Sequence, residues 1–367
     1  MVIITVLITF FSIISLLVLH EFGHFIVAKK FGVKVDEFGI GYPPRLFGKK
    51  IGETLYSVNL LPFGAFVKIP GEGGEKSSLE DYRVFSGKPV WQRFLIIIGG
   101  VVSFWIVAAI LLSIVFGMGT PQAISDEETE NLVNPKVQIL AVYPNTPAEE
   151  AGIKAGDTIR QFSPAGGGTQ FSIEKVKEVQ DLTEKYKGQE VFLTIQRGER
   201  VFDVSLIPRE SPPKDEGPMG ITLIRTADKS YPWWFSPVKG FEATVNLTSA
   251  VIMGWGSIIG SLIQGEGLPK GVQLLGPIGI GAVVYQAAQV GINYFLQFIA
   301  MIAVYLAIFN ILPIPALDGG KLVFLVIEKV KGSPVNQKIE QNITAAFFTL
   351  LILLMIWVTV QDITRLF

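Results

Sequence analysis

The 367-residue chain has no cysteine and only two histidines. Without cysteine there is no disulfide framework and no thiolate metal site, so a zinc ion would have to be held by imidazole and carboxylate. Charge is also sparse. Asp, Glu, Lys and Arg make up 17% of the residues, the net charge is −1, and no dense basic stripe points to nucleic acid. Apolar residues take the place of charge, at 49% hydrophobic with a mean hydropathy of +0.46, the composition of a membrane protein.

A membrane span needs about 20 mostly apolar residues. Val2 to Ala28, Trp91 to Met118, Tyr294 to Leu317 and Ile343 to Val360 qualify. The first run lacks the basic start and small-residue cleavage site of a signal peptide. Residues 29 to 93 carry eleven basic side chains, and Lys321, Lys329, Lys331 and Lys338 follow the third span. Both loops read as cytoplasmic. The stretch from 119 to 292, with fifteen basic and twenty acidic residues, then falls outside. Gly240 to Ile263 is apolar but rich in Gly, Ser and Thr, and is expected to lie at the outer surface or dip into it. The expected architecture is a polytopic α-helical membrane protein of about four transmembrane helices. Residues 1–119 hold spans one and two with a membrane-associated β-hairpin loop between them. Residues 120–227 form an inserted, β-rich extracytoplasmic domain, 228–292 an interfacial amphipathic segment, and 293–367 spans three and four.

Both histidines stand in one motif, His20-Glu21-Phe22-Gly23-His24, toward the cytoplasmic end of the first span. Positions i and i+4 share a helix face, so both imidazoles can reach one metal ion, with Glu21 beside them to take a proton from water there. Catalytic zinc usually has three protein ligands, and with no third histidine the remaining one must be acidic. Glu21 and Asp318 are the acidic residues of the spans. Asp318 ends Asn310-Ile-Leu-Pro-Ile-Pro-Ala-Leu-Asp318-Gly-Gly320, where Pro313 and Pro315 break the helix and the two glycines allow a close bend. An ionisable group at membrane depth reads as functional. The alternatives are an Asp318 that only caps the next helix and histidines that only bond neighbouring helices.

HEFGH in one span and NILPIPALDGG in a later one resemble the site-2 intramembrane zinc metalloproteases. Phe38-Gly-Ile-Gly-Tyr and Tyr56-Ser-Val-Asn-Leu-Leu-Pro-Phe-Gly-Ala-Phe-Val are similar to the membrane-facing hairpin of the bacterial members. Phe85-Ser-Gly-Lys-Pro-Val-Trp-Gln-Arg resembles their lead-in to the second span, and Gly276-Pro-Ile-Gly279 the approach to the third. Gly99-Gly100-Val-Val-Ser103 departs from the Ala-Gly-Pro and Asn often found in the family's second span. The resemblance implies regulated intramembrane proteolysis in a bacterial inner membrane, with Zn2+ as cofactor and single-span membrane proteins or signal-peptide remnants as substrates. It also implies that Asn310 holds substrate or an oxyanion. The extended Tyr56–Ile69 stretch could receive an unwound substrate by strand addition, with Gly64 at a bend.

In the outer domain, strand-like runs at Val137–Val142, Val191–Gln196 and Val201–Ile207 accompany a helix-like stretch from Ile173 to Lys185. The turn Ala151-Gly-Ile-Lys-Ala-Gly-Asp157 is similar to that of bacterial PDZ domains. Gly220 and Ile221, in Met219-Gly-Ile-Thr222, look like the loop and strand that hold a peptide terminus. Two other classes compete. A divalent-metal transporter would be expected to show more spans and a repeated half. A catalytically silent PDZ scaffold would have no use for Glu21.

Overall fold

A computed structural model describes residues 2–72, 82–129, 132–165, 169–198, 200–213, 216–265, 267 and 275–366. The chain divides into two units, one made of Met1–Val115 with Trp234–Phe367 and the other of Phe116–Trp233.

The first unit opens with α1 (Val2–Lys30), followed by strands β1 (Glu37–Ile51) and β2 (Thr54–Lys68) and the apolar α2 (Val90–Met118). Both strands fold back on themselves. Glu37–Ile40 pairs on one side with Leu55–Val58 and on the other with Ala65–Lys68, so the last part of β2 becomes an edge. The far part of this hairpin exposes Leu46, Phe47, Leu60 and Phe63, an apolar surface of the kind that marks contact with a membrane or partner.

The second unit contains β3 (Thr120–Ala123), β4 (Val133–Val142), the short α3 (Pro147–Glu150), β5 (Thr158–Pro164), β6 (Phe171–Ser172), α4 (Val176–Lys185), β7 (Val191–Arg197), β8 (Arg200–Leu206) and β9 (Ile221–Lys229). The strands form one antiparallel sheet in the order β3-β9-β4-β5-β7-β8, with β6 on β5. Ile139, Ile159, Phe162, Leu193 and Ile195 point from it into a dry core that α4 closes with Val179.

The first unit resumes with α5 (Ser236–Ile263), α6 (Pro277–Val290), α7 (Ile292–Ile311), α8 (Asp318–Lys331) and α9 (Gln337–Leu366). Among the described residues α1, α2, α5, α7 and α9 are long and apolar enough to cross a membrane. The third apolar run does not stay helical to Leu317. It stops at Ile311 because Pro313 cannot donate to the helix ladder, and the residue before a proline is pushed to extended backbone, as Leu312 is. The Gly240–Ile263 stretch belongs to a continuous 28-residue helix, α5, antiparallel to α2: a side chain at Gly240 would strike Ser113, and Trp105 Nε1 donates to Thr248 Oγ1 at 3.2 Å.

The Gly276-Pro-Ile-Gly279 motif is the start of α6. The carboxylate of Asp362, near the end of α9, accepts from the N–H groups of Gly276 (3.2 Å) and Gly279 (2.7 Å). A buried anion thus closes a helix N-terminus, where the macrodipole favours it. A Cβ at either glycine would lie within 3 Å of that carboxylate.

Candidate metal centre

His20 and His24 lie one turn apart on the buried face of α1, and their Nε2 atoms approach to 3.3 Å. Nδ1 of His24 meets the carbonyl oxygen of Ile96 on α2 at 2.9 Å. That nitrogen must donate, so in the neutral ring Nε2 keeps its lone pair for the centre. The ring of His20 stacks on Phe104, also from α2, with centroids 4.7 Å apart.

Glycine lets the two helices come this close. A Cβ on Gly23 would stand 2.3 Å from the carbonyl oxygen of Gly99, and one on Gly100 would stand 2.2 Å from Nε2 of His24. Gly99-Gly100 is therefore the floor beneath the histidines. Small residues that let backbones touch are the common device of packed membrane helices.

Asp318 is delivered by the break between α7 and α8. A Cβ at Gly319 would fall 2.1 Å from the carbonyl oxygen of Leu312, and one at Gly320 would fall 2.3 Å from that of Ile314. Both glycines of Leu-Asp-Gly-Gly are needed for the chain to fold back on itself. Asp318 does not cap α8 with its side chain; Leu317 is the N-cap, without a side-chain bond. Oδ2 of Asp318 instead faces Nε2 of His20 at 3.2 Å and Nε2 of His24 at 3.3 Å.

These three atoms are a test of fit for a metal ion. A tetrahedral zinc site with bonds of about 2.0 Å has ligand–ligand edges of about 3.3 Å, so the three atoms stand where three ligands would. With the Nε2 atoms 3.3 Å apart, at most one of them can direct a proton at the other. By hydrogen-bond geometry Asp318 Oδ2 is left without a partner among the described residues, and an orphaned buried carboxylate oxygen is costly. His20, His24 and Asp318 are the cluster of His, Asp or Glu that could hold a metal ion among the described residues.

Glu21 lies beside this centre, and its Oε2 accepts from the backbone N–H of Val67 at 3.0 Å. That N–H belongs to the edge part of β2, which puts the carboxylate between the histidines and the strand. Gly64, in the same edge, has φ +144, a backbone open to glycine, and packs under the ring of Tyr42. Asn310 is placed differently. Its amide donates to the carbonyl oxygen of Leu306 in its own helix at 2.9 Å. In the second unit Gly220 has φ +76 and lies against Thr146, and Ile221 begins β9. β3 covers β9 only from Thr226 to Lys229, and Ile124 N–H reaches Arg225, so Ile221 to Ile224 keep one edge unpaired among the described residues.

Several polar residues around the centre were not legible in the sequence. Lys321 Nζ donates to Glu72 at 2.7 Å and stands 3.8 Å from Asp318 Oδ1. Arg93 on α2 pairs with Glu328 on α8. Each reads in sequence as an ordinary charge flanking an apolar run. Only their separation along the chain, closed by the fold, makes them partners.

Two imidazoles one turn apart, a carboxylate from a distant helix break and a glutamate held beside them by a strand edge, all among apolar helices, are the features of a membrane-embedded metallopeptidase. The sequence model of peptidase family M50 matches residues 8–354. A protein of Clostridium perfringens assigned as a zinc metalloprotease is 35% identical over 350 residues, covering 95% of each chain. The zinc metalloprotease RasP of Oceanobacillus iheyensis is 28% identical over 99% of this chain and 100% of its own. The regulator of sigma-W protease RasP of Bacillus subtilis is 28% identical over 96% of each. The chain belongs to peptidase family M50, the site-2 proteases, and is a zinc-dependent, multi-pass membrane protease.

Proposed function

We propose that His20, His24 and Asp318 hold the zinc ion and that Glu21 is the general base of peptide hydrolysis. The observation that carries this reading is the mutual 3.2–3.3 Å approach of the three ligand atoms. A zinc ion held there supplies Lewis acidity and lowers the pKa of water to about 7. Glu21 takes the proton of the attacking water onto its carboxylate and passes it to the amine nitrogen that leaves. Ile96 fixes the His24 tautomer, and Phe104 holds the His20 ring against rotation. The apolar helices around them limit bulk water.

Substrates in this reading are single-span membrane proteins cut within or near the span. A helix hides its peptide bonds, so the segment must unwind and lie as an added strand on the edge of β2, beside Glu21, with Gly64 letting that edge bend. Asn310 would turn from Leu306 to hold the substrate or its oxyanion. The second unit is read as a PDZ-like extracytoplasmic module over 120–227 that takes peptide termini at Gly220 and Ile221. The B. subtilis relative is named for regulating sigma-W, which favours regulated proteolysis, of an anti-sigma factor or of signal-peptide remnants, at a bacterial inner membrane.

With four net crossings, by the spans in 1–119 and 293–367, and the Lys- and Arg-rich loops taken as cytoplasmic, the centre is read as lying toward the cytoplasmic side. The segment 228–292 adds no net crossing in this reading, and α5 runs along α2 as far as Trp255, which meets Phe309 on α7. Asp318 then ends on the membrane side of the histidines.

The test uses purified protein in detergent with a single-span substrate. Glu21→Gln is expected to keep its zinc and lose cleavage by about 10²–10⁴-fold. Loss of metal with the activity would remove Glu21 from the role of base, and full activity in the variant would sink the mechanism.

A further inference from the structure

The ligands sit on two supports. Both histidines are held by α2, through Ile96, Gly100 and Phe104, whereas Asp318 begins α8 after an irregular segment that proline keeps out of the helix ladder. A carboxylate on such an arm needs a separate device to keep its distance from the rings.

Arg93 and Glu328 supply one. Arg93 stands in the first turn of α2, three residues before Ile96, and Glu328 stands ten residues after Asp318 on α8. Nη1 of Arg93 donates to Oε2 of Glu328 at 3.0 Å and Nη2 donates to Oε1, a fork-to-fork pair. Their side chains are only 10% and 18% exposed. Two parallel bonds between planar groups fix distance and angle together, which a single contact to lysine would not. The nearby apolar packing gives no such definition. Leu325 shares a buried cluster with Ile96 and Ile97, and Leu322 packs against it, but leucine surfaces can slide.

We infer that Arg93 and Glu328 are positioning residues that hold α8 in register with α2, so that Asp318 meets both imidazoles at bonding distance. The inference rests on the metal-site reading above. The pair touches neither substrate nor ligand and acts only through the placement of the α8 N-terminus. Because Leu325 and Leu322 keep α8 against α2, neutralising the pair should leave the helix docked but loosely registered.

Zinc affinity is the readout, measured on the full chain in detergent by competition with a chromophoric chelator, beside thermal unfolding of the metal-free protein. Glu328→Gln and Arg93→Lys are expected to weaken zinc binding up to about 10-fold, the lower end of what losing a group bonded directly to a ligand brings, because the pair acts one step further out. Their metal-free unfolding midpoints should stay near wild type, and saturating zinc should restore cleavage. If Glu328→Gln does not fold, the double variant Arg93→Met/Glu328→Met removes both charges and is expected to show the same weakening. Wild-type zinc affinity in these variants, or a loss that only tracks metal-free stability, overturns the inference. His20→Ala and Asp318→Ala serve as the reference. If they bind zinc like wild type, it is the metal site itself that is wrong, an outcome distinct from failure of the positioning pair.

Discussion

Asp157 and Asp318 are both buried aspartates beside glycine, 1% and 6% exposed, one in each unit. Asp157 is surrounded by donors. Arg197 reaches both its oxygens at 2.7 Å, and the N–H of Lys154 adds a bond at 2.8 Å. The same carboxylate holds the Arg197 guanidinium above its ordinary pKa. Oδ2 of Asp318 instead faces Nε2 of both imidazoles without a hydrogen bond, and the His24 ring, which donates through Nδ1 to Ile96, presents a lone pair there, while Lys321 stands 3.8 Å from the other oxygen. A buried carboxylate whose bonds are complete is part of the scaffold, and one with an oxygen left without a donor is the better candidate for a metal ligand. That contrast distinguishes the two aspartates where burial, which they share, does not.

The widest separation between them is expected on removing the charge. Asp318→Asn should weaken zinc binding by more than about a hundredfold, beyond the scale at which outer partners of a ligand act. Asp157→Asn should leave zinc affinity unchanged. It should instead destabilise the β unit by about 1.5–3 kcal/mol, at the low end because Arg197 is partly solvent-exposed. Zinc competition and amide hydrogen exchange of β4 and β5 in the full chain separate the two. A zinc effect at Asp157, or none at Asp318, would break the comparison.

The same contrast explains what could be read before the fold was known. His20, Glu21, His24 and Asp318 stood out because ionisable residues are rare in apolar runs, and the i, i+4 spacing already put both rings on one face. Pro313 announced the break before Asp318, though the helix ends six residues earlier than hydropathy alone suggests. Long-range partners left no such trace. Arg93 and Glu328 are 235 residues apart, and Asp362 reads as an ordinary charge near the end of an apolar helix until α6 is seen to start on it. Nor did alternation of side chains reveal that β1 and β2 fold back so that Val67 faces Glu21. Asn310 was singled out by its motif, and the motif could not say that its amide bonds within its own helix.

Glycine sharpens the comparison on a smaller scale, since a methyl group can be placed against a ligand or against a scaffold. Gly100→Ala sets a Cβ 2.2 Å from Nε2 of His24. Something must shift, and the ring can move where the backbone of α2 cannot. The displaced atom is the one aimed at Asp318, so zinc affinity should fall about 10–100-fold, as for a lost support. If Gly100→Ala binds zinc normally, His24 is less tightly seated than its contact with Ile96 implies.

The smallest effect is expected from the matching change in the second unit. A Cβ at Gly220 would fall 2.3 Å from the side chain of Thr146, at a φ of +76 that non-glycine residues adopt only with strain. Gly220→Ala should therefore cost about 1–3 kcal/mol locally. Hydrogen exchange would report it at the start of β9 and at Tyr143, whose N–H donates to the Gly220 carbonyl oxygen. Zinc affinity in the same protein should not change, because Thr146 and Tyr143 hold a turn and no ligand. A peptide ending in a free carboxylate, titrated onto the full chain, should bind more weakly to the variant if Ile221 to Ile224 form the receiving edge. Equal binding would leave that edge as plain sheet structure, and a change in zinc affinity would show that the turn is coupled to the metal site after all.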